Sequence, residues 1–252
     1  MKARILGGII CTISVWGMLM MSQSVQANSL TVDQIIYQNG SGVNATLFSG
    51  SVDATITGTG SSTMLTILLQ NTSADGAATD AGSPSLMLLT GIGFQLAGVT
   101  ITGGSVSVNT GSTALNFDSG QSTTDIGNQW GYANSNPDGF GDTGVLALNH
   151  VVSTMASSGS TRFEGAPPSS IDGPAYGAVS ANETQFGNSL AGVDDTIKIV
   201  LDLSGTVNIG NINNVVLSFG SPDSVPDGGC TIALLGSALL GIGAFGRKLR
   251  AR

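Results

Sequence analysis

Most of the chain alternates short apolar runs with turns that are rich in Gly, Asn, Ser and Thr. The alternation is clearest over residues 197–203 (IKIVLDL), where every second residue is aliphatic and would share one face of a strand. No stretch of residues 28–221 combines helical periodicity over about 11 residues with good helix formers. The pattern therefore predicts a single all-β domain over residues 28–221.

Further runs share this strand-like composition, and they predict strands at 29–37, 51–57, 64–70, 86–96 and 215–219. The runs 64–70 and 86–96 are more continuously apolar, which favours strands that are covered on both faces or lie near the centre of a sandwich. Gly103 and Gly104 separate two short runs, and a Gly-Gly pair predicts a two-residue hairpin turn. We expect a β-sandwich of jelly-roll type, whose strand order the sequence leaves open.

The first 27 residues have the three parts of a secretory signal peptide. Lys2 and Arg4 precede an apolar segment at 5–21, and Val25-Gln26-Ala27 supplies the small residues of a cleavage site. We predict export through the Sec machinery and cleavage by signal peptidase between Ala27 and Asn28.

Residues 222–252 form a second targeting segment. Residues 228–246 carry no charge and are mostly apolar, and as a helix they would rise about 28 Å, close to one hydrocarbon core. The segment therefore predicts a transmembrane helix, with the bulk of the protein outside and the basic end inside. A short motif precedes the span (Val225, Pro226, Asp227, Gly228, Gly229), and a basic stop-transfer cluster follows it (Arg247, Lys248, Arg250, Arg252).

This order of motif, span and basic end resembles the VPDSG-CTERM sorting signal, a relative of PEP-CTERM. The resemblance implies cleavage at the motif by a membrane-embedded exosortase, after a transient stay in the inner membrane. It also implies a bacterial protein that ends at the outer surface or in the extracellular matrix. Cys230 stands where Ser or Thr is expected after the glycines. Its thiol gives the tail a further site that could react or carry a lipid. The simpler alternative is a permanent C-terminal membrane anchor.

Charge excludes one class of partner. Residues 28–221 contain two cations, Arg162 and Lys198. They also contain 14 of the 16 carboxylates of the chain. Nothing there can neutralise phosphates, which excludes a nucleic-acid-binding role. The same region has no cysteine, so stability must come from apolar burial and hydrogen bonds.

Catalytic residues are scarce. His150 is the only histidine, and there is neither a Gly-x-Ser-x-Gly motif nor a zinc-ligand spacing, so we expect no enzyme and no required cofactor. Paired carboxylates leave a secreted glycan hydrolase as an alternative, with Asp138 and Asp142, Asp194 and Asp195, or Glu164 as candidate acids.

Calcium has one candidate loop. Asn134, Asn136, Asp138 and Asp142 follow EF-hand spacing, but Val145 stands in place of the bidentate Glu. An ordinary Asn/Asp/Gly turn explains the loop as well.

Aromatic residues give another alternative, a carbohydrate-binding module for exopolysaccharide, because exposed Trp130 and Tyr132 rings would stack on sugars. The simpler interpretation places Trp130 in the core. The leading expectation is an exported, non-enzymatic protein of the cell surface or biofilm matrix, processed by an exosortase.

Overall fold

The computed structural model describes residues 25–37, 48–58, 63–74, 88–135, 147–154, 161–164, 175–181, 190–205 and 207–220. Within these ranges the chain forms strands and two single-turn 3₁₀ helices, Gly127–Gln129 and Ile209–Asn211. The strands are β1 (Gln26–Leu30), β2 (Val32–Tyr37), β3 (Gly50–Thr57), β4 (Thr63–Asn71), β5 (Leu89–Gln95), β6 (Thr100–Val108), β7 (Thr113–Leu115), β8 (Gly131–Ala133), β9 (His150–Ser153), β10 (Thr161–Arg162), β11 (Gly177–Val179), β12 (Gly192–Asp194), β13 (Thr196–Ser204) and β14 (Asn213–Phe219).

The strands form two sheets that pack together. The first has the order β1-β3-β4-β13-β6, and all its neighbours are antiparallel. The second runs β10-β8-β9-β5-β11-β12-β7, and β14 joins it between β5 and β2. The prediction of an all-β sandwich is confirmed at this level. Two pairs, β2 with β14 and β11 with β12, are parallel, which departs from the antiparallel pairing of a jelly roll.

The main core lies between the two sheets. Strands β3, β4 and β13 alternate, so that every second side chain is buried and its neighbours face outward. Leu65, Ile67 and Leu69 of β4 are almost fully buried, whereas Met64 is 43 % exposed. Residues 64–70 are therefore buried on one face only, but β4 is the middle strand of its sheet, which agrees with the alternative of a position near the centre of the sandwich.

The middle of the second sheet is buried on both faces. In β5, β9 and β14 almost every residue is buried. Val152 belongs to the main core, whereas its neighbour Val151 packs with Leu148 and Val216 in a separate cluster. Successive residues of a strand point to opposite faces, so this cluster lies on the far side of the sheet. The predicted burial of the 86–96 run on both faces is confirmed for β5.

Gly103 and Gly104 do not form the predicted hairpin turn. Strand β6 runs straight through both and pairs with β13, with a register shift at Asp202/Leu203. Gly104 has φ +150°, and a Cβ atom there would lie 2.0 Å from the Val200 carbonyl oxygen. The glycines allow β6 to approach β13 closely at a bulge. A Gly-Gly pair is equally compatible with a bulge and with a turn, so the sequence alone could not tell them apart.

The chain changes sheets twice across a single residue. Thr31 separates β1 from β2, and Asp195 separates β12 from β13. Asp195 has φ +75°, and all its polar groups are bonded. Its N–H donates to Val179 O and its carbonyl accepts from Asn71 N, while its carboxylate accepts from Gln70 Nε2 at 2.7 Å and from Thr196 Oγ1 at 2.9 Å.

Asn71 joins the two sheets beside this crossing. Its side chain is 2 % exposed, and its Nδ2 donates to Ala178 O of β11 at 2.8 Å. Its Oδ1 accepts from Ser73 N at 3.1 Å. The amide therefore donates to a buried carbonyl of the second sheet. It also accepts from the buried N–H of Ser73, which follows β4 of the first sheet.

Replacing Asn71 by Ala should lower the free energy of unfolding by about 2 kcal/mol, because a buried donor and a buried acceptor lose their partners. Urea unfolding of both proteins measures this loss. Asn211→Ala is the matched control, since that side chain is exposed and should change stability by less than about 0.5 kcal/mol. Equal losses in the two variants would contradict the assigned role.

Candidate functional site

The sorting segment begins directly after a firmly held strand. Phe219 is fully buried, and Gly220 N donates to Leu88 O at 2.9 Å. The Thr90 hydroxyl donates to the carbonyls of Ser218 and Gly220. The predicted motif, transmembrane helix and basic cluster at 222–252 lie outside the described residues. Within the described ranges, no helix is long and apolar enough to cross a membrane.

The predicted leader also lies mostly outside the described residues. Its last three residues are described: Val25 is exposed, and Gln26 and Ala27 begin β1. Gln26 Oε1 accepts a hydrogen bond from Ile209 N at 3.1 Å. A cut at the predicted Ala27–Asn28 bond would remove this contact and leave residues 28–30 paired with β3.

Trp130 and Tyr132 lie in the core and not on a sugar-binding surface. The Trp130 side chain is fully buried, and its indole N–H donates to Tyr176 O at 3.2 Å. Tyr132 is also buried and packs against Phe163, with ring centroids 5.1 Å apart. Neither ring face is open for stacking, so the glycan contact expected at these two residues is not supported.

Trp130 should be shielded from solvent, and its fluorescence can test this. Trp16 lies in the predicted leader, so Trp130 is the only tryptophan of a mature chain that begins at Asn28. We expect blue-shifted emission and little quenching by iodide in the folded protein, with full quenching in urea. Equally efficient quenching in both states would show that the indole is exposed.

Asn134 is occupied by a structural contact. Its Oδ1 accepts from Ile101 N at 2.7 Å, and its Nδ2 donates to Ile101 O at 2.8 Å. The amide thus pairs with the edge of β6 as a neighbouring strand would, and its oxygen already accepts a structural hydrogen bond. The other predicted ligands, Asn136, Asp138 and Asp142, lie outside the described residues. No three His, Cys, Asp or Glu side chains in the described part of the chain could hold a metal ion.

His150 lies in the sandwich and is poorly placed for catalysis. It is 2 % exposed, its ring packs 5.3 Å from the Phe94 ring, and Nε2 lies 3.1 Å from Leu96 O. Among the described residues, its Nδ1 has no hydrogen-bond partner. Burial lowers the pKa of His150 below 6.5, and the bond to the Leu96 carbonyl opposes this only in part. The imidazole is therefore neutral in the folded protein at neutral pH.

This buried histidine predicts sensitivity to mild acid. The unfolded chain takes up a proton at the ordinary pKa of 6.5, whereas the folded chain does so only at lower pH. Stability should therefore fall as the pH drops below 6.5. Urea midpoints from about pH 7 to about pH 5 measure the slope, because His is the side chain whose ordinary pKa lies in this range. His150→Gln should flatten it, and an unchanged slope would contradict this origin.

The candidate catalytic carboxylates lie in different surroundings. Both oxygens of Asp195 accept structural hydrogen bonds, and Asp138 and Asp142 lie outside the described residues. Glu164 lies beside Asp125, a partner that the sequence did not indicate, because residues 39 positions apart meet at the Gly127–Gln129 turn. The negative charge of Asp125 is the main cause that raises the pKa of Glu164, with desolvation and a hydrogen bond as lesser causes. Both carboxylates of this pair are at least partly exposed.

A groove of about 330 Å³ opens at the first sheet crossing. Its walls come from residues 28–31 with Asp33, and from the segment between Ile209 and Val215. Asp33 Oδ2 accepts from Val215 N at 2.8 Å and so fixes one segment against the other. Sequence reasoning missed this site. Its one local signal was the asparagine-rich run 208–214, but the residues of the facing wall are about 180 positions away.

Comparison with known proteins identifies the tail. Residues 224–249 match the family model of the VPDSG-CTERM motif, so the predicted resemblance is confirmed for this segment. No curated protein and no solved structure matches the chain. The motif indicates a protein that is exported and directed to the cell surface, and it implies processing by an exosortase-type system.

Proposed function

We propose that this chain, which carries a VPDSG-CTERM motif, is a non-enzymatic protein of the cell surface or extracellular matrix. In this proposal an exosortase cuts at residues 225–229 and frees the β-sandwich from a transient anchor in the inner membrane. The observation that carries the proposal is the match of residues 224–249 to the sorting motif.

The residues of the tail support this order of events. After the leader has directed export, the uncharged segment 228–246 would stop in the membrane, because the four cations behind it stay on the inner side. Pro226 has no N–H to offer to a helix or sheet, and it restricts Val225 to extended conformations. The motif is therefore suited to enter a protease site as an extended chain.

The folded domain sets the geometry of the cut. Strand β14 is held up to Gly220, and Val225 begins the motif five residues later. Five residues span at most about 18 Å even when fully extended. The processing enzyme would therefore work close to the surface of the sandwich, and the domain would sit near the membrane until release.

A binding or structural role fits the described side chains better than catalysis. The only histidine is buried and neutral, and the Asp195 carboxylate is committed to the sheet crossing. The Asp125 and Glu164 pair keeps a hydrolase as the weaker alternative, since Glu164 has a raised pKa. Loss of any glycan turnover in Glu164→Gln would favour that alternative.

The test is the intact mass of the protein recovered from its producing cells, with its compartment recorded. We expect a chain that begins at Asn28, ends within residues 225–229 and lies outside the inner membrane. Asp227→Ala should block the cut and leave a chain that ends at Arg252 in the membrane fraction. Asp118→Ala is the matched control, because it removes an exposed carboxylate outside the motif and should be processed normally.

One result would overturn the proposal. If the wild-type chain keeps Arg252 and stays in the membrane fraction, the tail is a permanent anchor and the sandwich acts at the membrane surface.

A further inference from the structure

We propose that the groove at the Thr31 crossing binds an uncharged sugar unit of a polysaccharide through the hydroxyl groups of the sugar. The volume of about 330 Å³ lies at the small end of the range for ligand sites, which suits one or two sugar rings. The groove belongs to the sandwich alone, so the proposal does not depend on how the tail is processed.

Polar groups in the groove remain available to a ligand. The side chains of Asn28 and Thr31 are exposed and make no hydrogen bond within the described structure. Asn213 donates through Nδ2 to Asn211 O at 2.8 Å, which leaves Oδ1 free to accept. Asp33 uses one carboxylate oxygen on Val215 N and keeps the other. Acceptors therefore outnumber donors, and a ligand rich in hydroxyl donors complements them.

Charge narrows the ligand class. Among the described residues no lysine or arginine lines the groove, and the chain has a net charge of −8. Anionic ligands such as phosphates or uronic acids would therefore meet an unfavourable field, although cleavage before Asn28 would add one cation, the α-ammonium group of Asn28. An uncharged polyol meets no such penalty, because each hydroxyl can donate to an amide or carboxylate oxygen.

The groove is mostly polar but also offers a small apolar surface. Ile209 and Ile212 are largely buried but line the groove, and Leu30 and Val215 flank them. A sugar ring presents C–H groups on its faces and hydroxyls around its rim, so aliphatic and amide side chains together match it. This explains how a sugar could bind although Trp130 and Tyr132 are buried elsewhere.

The walls are fixed before any ligand arrives. The bond from Val215 N to Asp33 joins the two segments, and Asn208 Oδ1 accepts from Gly210 N at 2.9 Å to hold the 3₁₀ turn. Asn214 keeps φ +52° and donates to Gln95 Oε1. A preformed site loses less conformational entropy on binding. The lining residues also all follow Ala27, so cleavage at the predicted bond would retain every one of them.

The test is saturation-transfer NMR of the mature protein from its producing cells with four hexasaccharide probes. Three are uncharged: the α-1,4-linked and β-1,4-linked glucose hexamers and the N-acetylglucosamine hexamer. The fourth, a galacturonic acid hexamer, is anionic. We expect at least one uncharged probe to bind with a Kd of about 1 mM, as suits a shallow site with few contacts, and the anionic probe to bind more weakly than that probe.

Variants locate the binding. Thr31→Ala and Asn213→Ala should each weaken binding about fivefold, as expected for one lost hydrogen bond. Asn211→Ala, an exposed asparagine in the same segment that does not line the groove, should leave it unchanged. Thermal unfolding of each variant confirms that the fold is intact.

Asp33→Asn separates a sugar site from a cation site. It keeps an acceptor for Val215 N but removes the charge, so sugar binding should persist. The proposal is overturned if no uncharged probe binds at about 10 mM, a concentration well above the expected Kd. It is equally overturned if Asn211→Ala weakens binding as much as Asn213→Ala, or if Asp33→Asn or removal of calcium by EDTA abolishes binding.

Discussion

The structure depends on satisfying the backbone where the chain passes from one sheet to the other. At Asp195 the passage takes one residue, and its N–H, carbonyl and both carboxylate oxygens have partners. A buried polar group without a partner costs about 1–3 kcal/mol, so an incomplete crossing would offset much of the stability of a domain this size. Asn71 completes the arrangement, because its amide joins β4 to the carbonyl of Ala178 in the opposite sheet. These crossings bring the two sheets face to face. The long aliphatic rows of the core lie between them.

Asparagine side chains also satisfy backbone groups at the edges and ends of strands. Asn134 bonds both the N–H and the carbonyl of Ile101 at the edge of β6, and Asn149 does the same for Leu96, just beyond the end of β5. Free strand edges pair readily with other chains, and many proteins block them with lysine. Residues 28–221 contain only two cations, so lysine side chains can block few edges in this domain. Amide side chains take this role here. The asparagines of this domain therefore divide into those consumed by the fold and those, as in the groove, that remain available.

The targeting motif and the folded domain occupy separate parts of the chain. The VPDSG-CTERM motif at 224–249 directs the protein to the cell surface, and the described contacts of the sandwich extend to Gly220. The proposed cut lies within nine residues of Gly220, at most about 32 Å from the folded strand β14, so release would yield the domain with a short C-terminal extension. The groove at Thr31 is formed by β1, β2 and the start of β14, and is thus a product of the same sheet crossing that shapes the fold.

The sequence by itself determined what depends on local pattern. The alternation in 197–203 predicted β13, the continuous apolar run predicted the buried β5, and the order of motif, span and basic end identified the sorting tail, because each signal is contained in a few consecutive residues. Tertiary structure decided the rest. Gly103 and Gly104 read as a turn but lie in a bulged strand, since the close approach of Val200 is a contact between distant segments. Trp130 is buried, Asn134 pairs with Ile101, Glu164 meets Asp125, and residues 28–33 face residues 209–215 across the groove. None of these follows from spacing, because each is set by which strands become neighbours once the chain has changed sheets.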